Sequence, residues 1–170
     1  KLYKRAKLLR WYGIDREDNR KDFRCEADIT EWGYKMHMND VNASIGLANL
    51  KEVDENVIAK NIANAHYYNE HLQGVPGVTL LENKKDHESS YWIYTLKVDD
   101  QEGFMRKMQE KNIMVSRVHE RNDKHTCVKE FKSFLPTLDK VVNEMICIPN
   151  GWWLTDEERE YIVGTIKTGW

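Results

Sequence analysis

Apolar residues recur along this chain at several spacings, and each spacing predicts a different element. From Lys1 to Trp11, Leu2, Ala6 and Leu9 fall at helical intervals opposite Lys4, Arg5 and Lys7, and Gly13 stands where a C-cap glycine closes such a helix. The stretch that follows, to about Ala27, is charged and has too few apolar positions to pack, which predicts an irregular, mobile loop. A polar, glycine-marked segment from Glu31 to Met38 then turns into a helix. Asn39 or Asp40 can cap it by accepting from the free amides of the first turn. Val41, Ile45 and Ala48 form its apolar stripe, with Leu47 and Leu50 beside it, while Ala43, Ser44 and Gly46 keep it thin. Glycine costs a helix interior about 1 kcal/mol against alanine, so Gly46 predicts close packing by another backbone.

A second helix, or the same one after a bend near Asp54, runs through Val57, Ile58, Ile62, Ala65, Tyr68 and Leu72 and stops at Gly74, before Pro76-Gly77. Beyond it Val78–Leu81 is a short apolar run, and Tyr91–Val98 is a strand in its aromatic and β-branched content. Helix is predicted around Phe104, Met105 and Met108, strand over Ile113–Val118, helix over Val128–Leu135 and Leu138–Asn143, and strand over Met145–Ile148. Thr155-Asp156-Glu157-Glu158 is a capping-box opening for a last helix with Ile162, Val163 and Ile166 inward. Helix and strand alternate over the C-terminal hundred residues, so the fold class is α/β in the broad sense (α+β): a small sheet with packed helices, preceded by a long helix.

Composition narrows the function. At 170 residues the chain suits one medium domain or one and a half, able to bury roughly 70% of its unfolded surface. The first residue, Lys1, already lies in a helical pattern, which suggests a chain that begins inside something larger. Lys and Arg number 26 against 28 Asp and Glu, a formal charge of -2, and this disfavours binding driven by nucleic-acid phosphates. The cations from Arg16 to Arg24 are interleaved with Asp15, Glu17, Asp18 and Asp22, as in a solvated loop. Cys25, Cys127 and Cys147 have no metal-type spacing, His66 and His71 are five apart rather than four, and no segment has the length and apolarity of a membrane span. A reducing, cytoplasmic protein without a metal centre, a nucleic-acid partner or a membrane partner is expected.

Two loops gather groups that bind anions. Gly33-Tyr34-Lys35-Met36-His37-Met38-Asn39 precedes a helix N-terminus, where free amides and the helix dipole favour a phosphate or carboxylate and Lys35 adds a full charge. Arg117-Val118-His119-Glu120-Arg121-Asn122-Asp123-Lys124-His125 follows a predicted strand and holds five groups that can be cationic. Taken singly, each reads more readily as a solvated loop. No nucleophile elbow, P-loop or dinucleotide fingerprint is present, and no catalytic residue is assigned within the chain.

The run from Gly33 to Leu50 resembles the glycine-tyrosine loop and following helix of the DegT-type, PLP-dependent nucleotide-sugar aminotransferases. Further likenesses fall in family order. Arg5–Ile14 is similar to the family's A-R-x-L-R-x-H-G-I element, and Asn64–Leu72 to its A-x-x-Y-x-x-x-L. Asn112–His119 is similar to the strand and histidine before the substrate loop, and Ile148-Pro149 with Leu154–Glu158 to the closing segment. The resemblance covers essentially the whole chain. It implies the C-terminal portion of a fold type I transferase, with residues 1–38 a remnant of the large pyridoxal 5'-phosphate domain and its active-site loop, and residues 39–170 the connecting helix and small domain.

The same resemblance implies that the Schiff-base lysine precedes this chain, leaving it inactive alone. Lys35 becomes a contact to the PLP phosphate across a homodimer whose site is shared between subunits. Tyr34, His37, Asn39, His119, Arg121 and His125 become the residues facing a nucleotide-sugar substrate, with glutamate the amino donor. His37 stands where the family often has arginine, and Tyr12 where it often has histidine. A PLP-dependent sugar dehydratase of the same fold, or a non-catalytic binding or oligomerisation module, are the alternatives. With its partner absent, the helix face of Val41, Ile45 and Leu47 is expected to be exposed.

Overall fold

The computed structural model describes the chain except for residues 18–28, 30, 85, 120, 122 and 124 and the side chains of 126, 127 and 129. Most of the charged loop expected up to Ala27, Cys25, the Cys127 side chain, and Glu120, Asn122 and Lys124 of the second loop therefore lie outside the described residues. Two compact units are present, Lys1–Lys51 and Glu52–Trp170.

In the first unit, α1 (Leu2–Leu9) ends as its spacing predicts. Gly13 adopts φ +80 and its amide donates to Leu8 O at 2.9 Å. The segment around Lys35 then runs back along the end of α1. Tyr34 N donates to Leu9 O (2.7 Å), Tyr12 N to Tyr34 O (3.2 Å) and Met36 N to Arg10 O (3.0 Å), so Trp11 and Lys35 form an antiparallel bridge. The approach is close enough to require glycine. A Cβ on Gly33 would stand 2.5 Å from both Gly13 N and Leu9 O, and one on Gly13 would stand 2.1 Å from Glu31 O.

Of the two predicted caps for α2 (Asp40–Glu52), Asn39 serves, its Oδ1 accepting from Asn42 N at 2.9 Å. Neither α1 nor α2 buries a residue fully. The expected exposure of the α2 stripe is observed at Val41, Ile45, Leu47 and Leu50. A Cβ on Gly46 meets nothing within 4 Å, so the backbone neighbour expected there is not found among the described residues of this chain.

The second unit opens with the bend expected near Asp54, which takes the form of a π-helical segment, Val53–Ile58, leading into α3 (Ala59–Leu72). Three antiparallel strands follow, β1 (Val78–Leu80), β2 (Tyr94–Val98) and β3 (Met145–Ile148), in the order β1-β2-β3, with Leu96 opposite both Leu80 and Ile146. Alternation along β2 sends Tyr94, Leu96 and Val98 inward. They share one core with Ala65, Tyr68 and Leu72 of α3, Phe104 and Met108 of α4 (Gln101–Glu110), and Ile162, Val163 and Ile166 of α6 (Asp156–Lys167). Each of the larger side chains contributes roughly 1.5–3 kcal/mol by leaving water. The capping box of α6 forms as its sequence predicts: Thr155 Oγ1 accepts from Glu158 N at 3.2 Å and Glu158 Oε2 from Thr155 N at 3.0 Å.

Three expectations are corrected. Ile113–Val118 is not a strand; it touches the sheet through one bridge, Ser116 to Cys147, and left-handed backbone at Asn112 (φ 56) and Val118 (φ 47) ends the extended run on both sides. The strand expected from Tyr91 begins at Tyr94, because Tyr91 itself has φ 46. The helix expected over Val128–Leu135 is a 3-10 segment, Thr126–Phe131, and α5 (Pro136–Glu144) starts at a proline. Proline disfavours helical backbone in the residue before it, and Leu135 sits at φ -130, ψ 73.

Buried polar side chains tie residues 149–151 to α3 and to Tyr91. Tyr68 donates to Pro149 O (2.8 Å), Asn64 Nδ2 to Gly151 O (3.1 Å), and Asn150 Nδ2 to Tyr91 O (2.5 Å). Arg159 reaches Asn64 Oδ1 at 3.0 Å and stacks 4.1 Å over Tyr67. Burial pushes the Tyr68 phenol up, so at neutral pH it stays a donor.

Candidate functional site

The first loop presents its groups in different ways. Lys35 is held by its backbone at the Trp11 bridge, while its side chain is exposed and its ammonium has no partner among the described residues. Tyr34 is exposed, edge-on to Trp32 at 5.2 Å. His37 lies edge-on to Trp11 at 4.2 Å, and Arg16 stacks over the same indole at 4.6 Å. His37 thereby joins Lys4, Lys7, Arg10 and Arg16 around a basic cleft of about 270 Å³, in which Lys7 is paired with Glu17. Lys35, Tyr34 and Asn39 do not line it, and the Asn39 carboxamide oxygen is engaged in capping α2.

The second loop is organised by Arg121. Its Nε donates to Asp123 Oδ1 at 2.7 Å, its Nη2 reaches Asp123 Oδ2 and, at 3.3 Å, Ser133 O, and its Nη1 reaches Asp139. These charge-assisted bonds hold the guanidinium above its ordinary value and the Asp123 carboxyl below its own. One cation facing two carboxylates is a clip that closes the loop onto α5, with little positive potential left for an incoming anion. His119 and Arg121 share a cleft of about 460 Å³ with apolar walls from Phe131, Leu135, Leu138 and Met145. His119 is exposed, 6.5 Å from the Trp92 ring, and His125 is exposed and outside this cleft. The structure thus brings His119 and Arg121 together. Sequence reasoning missed the carboxylates that engage Arg121, and Asp139, eighteen residues away, gives no local signal.

A model of the DegT/DnrJ/EryC1/StrS aminotransferase family matches residues 1–167. The chain belongs to this family. Among solved structures, the sugar aminotransferase CalS13 from Micromonospora echinospora is similar with a TM-score of 0.89 and 42% identity, over 99% of this chain and 45% of that one. AtS13 from Actinomadura melliaura is similar with a TM-score of 0.91 and 48% identity, over 99% and 44%. The dTDP-4-amino-4,6-dideoxy-D-glucose transaminase of Escherichia coli is 23% identical over 152 residues, 84% of this chain and 40% of that protein. The chain therefore spans less than half the length of each of these DegT-type relatives. Its helices and three-stranded antiparallel sheet are those of part of a fold type I sugar aminotransferase, as the resemblance implied.

Proposed function

We propose that this chain is the C-terminal segment of a PLP-dependent aminotransferase that moves an amino group from glutamate onto a nucleotide-linked keto sugar, in polysaccharide or sugar-antigen biosynthesis. The observation that carries the reading is the 42% identity to CalS13 across nearly the whole chain while spanning 45% of that enzyme. In this scheme residues 1–38 complete the large domain's site, residues 39–170 form the connecting helix and small domain, and the Schiff-base lysine lies in the part that precedes them.

Lys35 suits a phosphate. It offers an ammonium without a partner among the described residues, on a backbone fixed at Trp11, and an ammonium-to-phosphate bond is among the stronger hydrogen bonds available to a protein. PLP, when bound, supplies the electron sink that lets an amino group move between carbons. The residues of this chain hold and orient: Lys35 the cofactor phosphate of a neighbouring subunit, Tyr34, His37 and Asn39 the near side of the substrate, His119 and His125 its far side. Arg121, clipped to Asp123 and Asp139, lines the same cleft as His119 and faces the substrate from there. The exposed α2 stripe of Val41, Ile45 and Leu47 supports a homodimer that covers it. Among the described residues no helix is long and apolar enough to cross a membrane, and the reading places the enzyme in the cytoplasm.

Lys35→Ala in the complete dimer should weaken PLP retention roughly ten- to a hundredfold, the size expected for losing a charged hydrogen bond. Dialysis followed by cofactor absorbance measures it, and unchanged retention removes Lys35 from the site. A second measurement titrates the 170-residue chain with PLP. A stoichiometric visible band abolished by substituting one of its own lysines sinks the claim that the Schiff-base lysine lies elsewhere.

A further inference from the structure

Asn150-Gly151 is the one asparagine–glycine step in the chain, and it lies just beyond β3. Hydrogen bonds hold the backbone on both sides of Asn150, from Tyr68 to Pro149 O and from Asn64 Nδ2 to Gly151 O. Asn150 itself is 5% exposed, and its Nδ2 donates to Tyr91 O at 2.5 Å and to Asn61 O at 3.4 Å. Its Oδ1 is buried without a hydrogen-bond partner among the described residues.

Glycine has no Cβ, so its nitrogen can approach the carbonyl carbon of the preceding side chain unhindered. The fold also has a use for that glycine. A Cβ on Gly151 would stand 2.3 Å from the Trp153 ring, so a side chain there displaces the indole packed over it.

We propose that Asn150-Gly151 is a site of spontaneous covalent modification, restrained by the native hydrogen bonds and released when residues 149–151 open. The Gly151 nitrogen attacks Cγ of Asn150. The N–Cγ bond forms, the Cγ–Nδ2 bond breaks, and the side-chain amide leaves as ammonia with the proton lost by the Gly151 nitrogen. Water then opens the cyclic imide at either carbonyl, leaving aspartate or isoaspartate. In the closed structure the carboxamide must rotate away from Tyr91 O and Asn61 O to reach the Gly151 nitrogen, so the first step needs those bonds broken.

Neither product fits the place it came from. An aspartate would set a second oxygen against the Tyr91 and Asn61 carbonyls, acceptor against acceptor in a buried position. Isoaspartate adds a carbon to the main chain between the carbonyls that Tyr68 and Asn64 hold. Tyr91 feels the loss directly. Its left-handed backbone, φ 46, is unfavourable for an aromatic residue, and Asn150 and Ser89 Oγ (3.1 Å from Tyr91 N) are the groups that hold it. Opening followed by reaction is thus a one-way exit from the native state.

The inference uses neither cofactor nor substrate, so it stands or falls apart from the aminotransferase reading. The test holds the 170-residue chain at mildly alkaline pH in buffer and, in parallel, in urea. Peptide mass mapping follows every asparagine, and enzymatic methylation follows isoaspartate. In urea Asn150 should react before any other asparagine, and Gly151→Ala should slow it at least about fivefold. In buffer its rate should be at least about tenfold lower than in urea, because only opened molecules react. Tyr68→Phe removes the bond to Pro149 O with little change of shape, and should raise the buffer rate roughly fivefold while leaving the urea rate alone. Asn150→Asp, the product made directly, should lower the urea midpoint or fail to fold. Equal Asn150 rates in buffer and urea, faster reaction at another asparagine in urea, a buffer rate unmoved by Tyr68→Phe, or an unchanged midpoint for Asn150→Asp each overturns the proposal.

Discussion

The two units solve the problem of holding a chain together by different means. Every fully buried apolar side chain among the described residues lies at or beyond Ala65, so the unit from Glu52 carries its own core. Among the described residues of the unit before it there is none: α1 and α2 bury no residue, and the local geometry there is held by backbone bonds between Leu9–Tyr12 and Tyr34–Met36 and by two glycines that let those segments approach. Apolar burial stabilises through area, whereas a backbone ladder between short segments contributes little net free energy per bond. The first unit is thus built for a specific local geometry, with its apolar stripe turned outward.

The contrast can be broken most forcefully at the core. Leu96→Ala or Phe104→Ala should cost about 2–5 kcal/mol in urea unfolding, while Val41→Ala or Leu47→Ala should stay within about 0.5 kcal/mol in a monomer. A comparable loss from the α2 variants, dependent on protein concentration, would show that a second copy covers that face. Next in size is Gly33→Ala, expected to cost on the order of 2 kcal/mol within the first unit, because its Cβ would collide with backbone rather than side chain. Hydrogen exchange at the Tyr12 and Met36 amides should accelerate with the urea midpoint of the second unit unmoved.

Caps sharpen the comparison. Thr155→Ala should lower the second unit's midpoint by about 1 kcal/mol, whereas Asn39→Ala, a loss of similar size, should show only as faster exchange at the Asn42 amide. The smallest effect concerns Asp123. Its carboxyl is held low by the Arg121 hydrogen bonds, so the clip stabilises the loop above the ordinary aspartate range and weakens as pH falls through the depressed value. Carboxyl chemical shifts should show Asp123 titrating below the ordinary aspartate range, and Arg121→Ala should return it upward.

What the sequence makes legible follows the same divide. The α3 and α6 stripes, the Thr155 capping box and the glycine stops at Gly13 and Gly74 are strong local patterns, and they form as the sequence predicts. Misread segments are those whose backbone answers to distant partners. Tyr91 looks like strand until Asn150, fifty-nine residues away, takes its carbonyl, and Arg121 looks like an anion receptor until Asp139 occupies it. Exposed loop groups such as Lys35 and His119 are candidates by residue type and family likeness alone, because an exposed cation leaves no imprint on apolar spacing.

The glycine pair of the first unit has an evolutionary consequence. A Cβ on Gly33 would strike the Gly13 amide and the Leu9 carbonyl, and one on Gly13 would strike the Glu31 carbonyl, so each clash is with backbone that no substitution elsewhere removes. Each glycine should therefore be retained on its own account for as long as the turn keeps its path. Loss of either one becomes a compact marker for descendants in which the Lys35 segment has taken a new path.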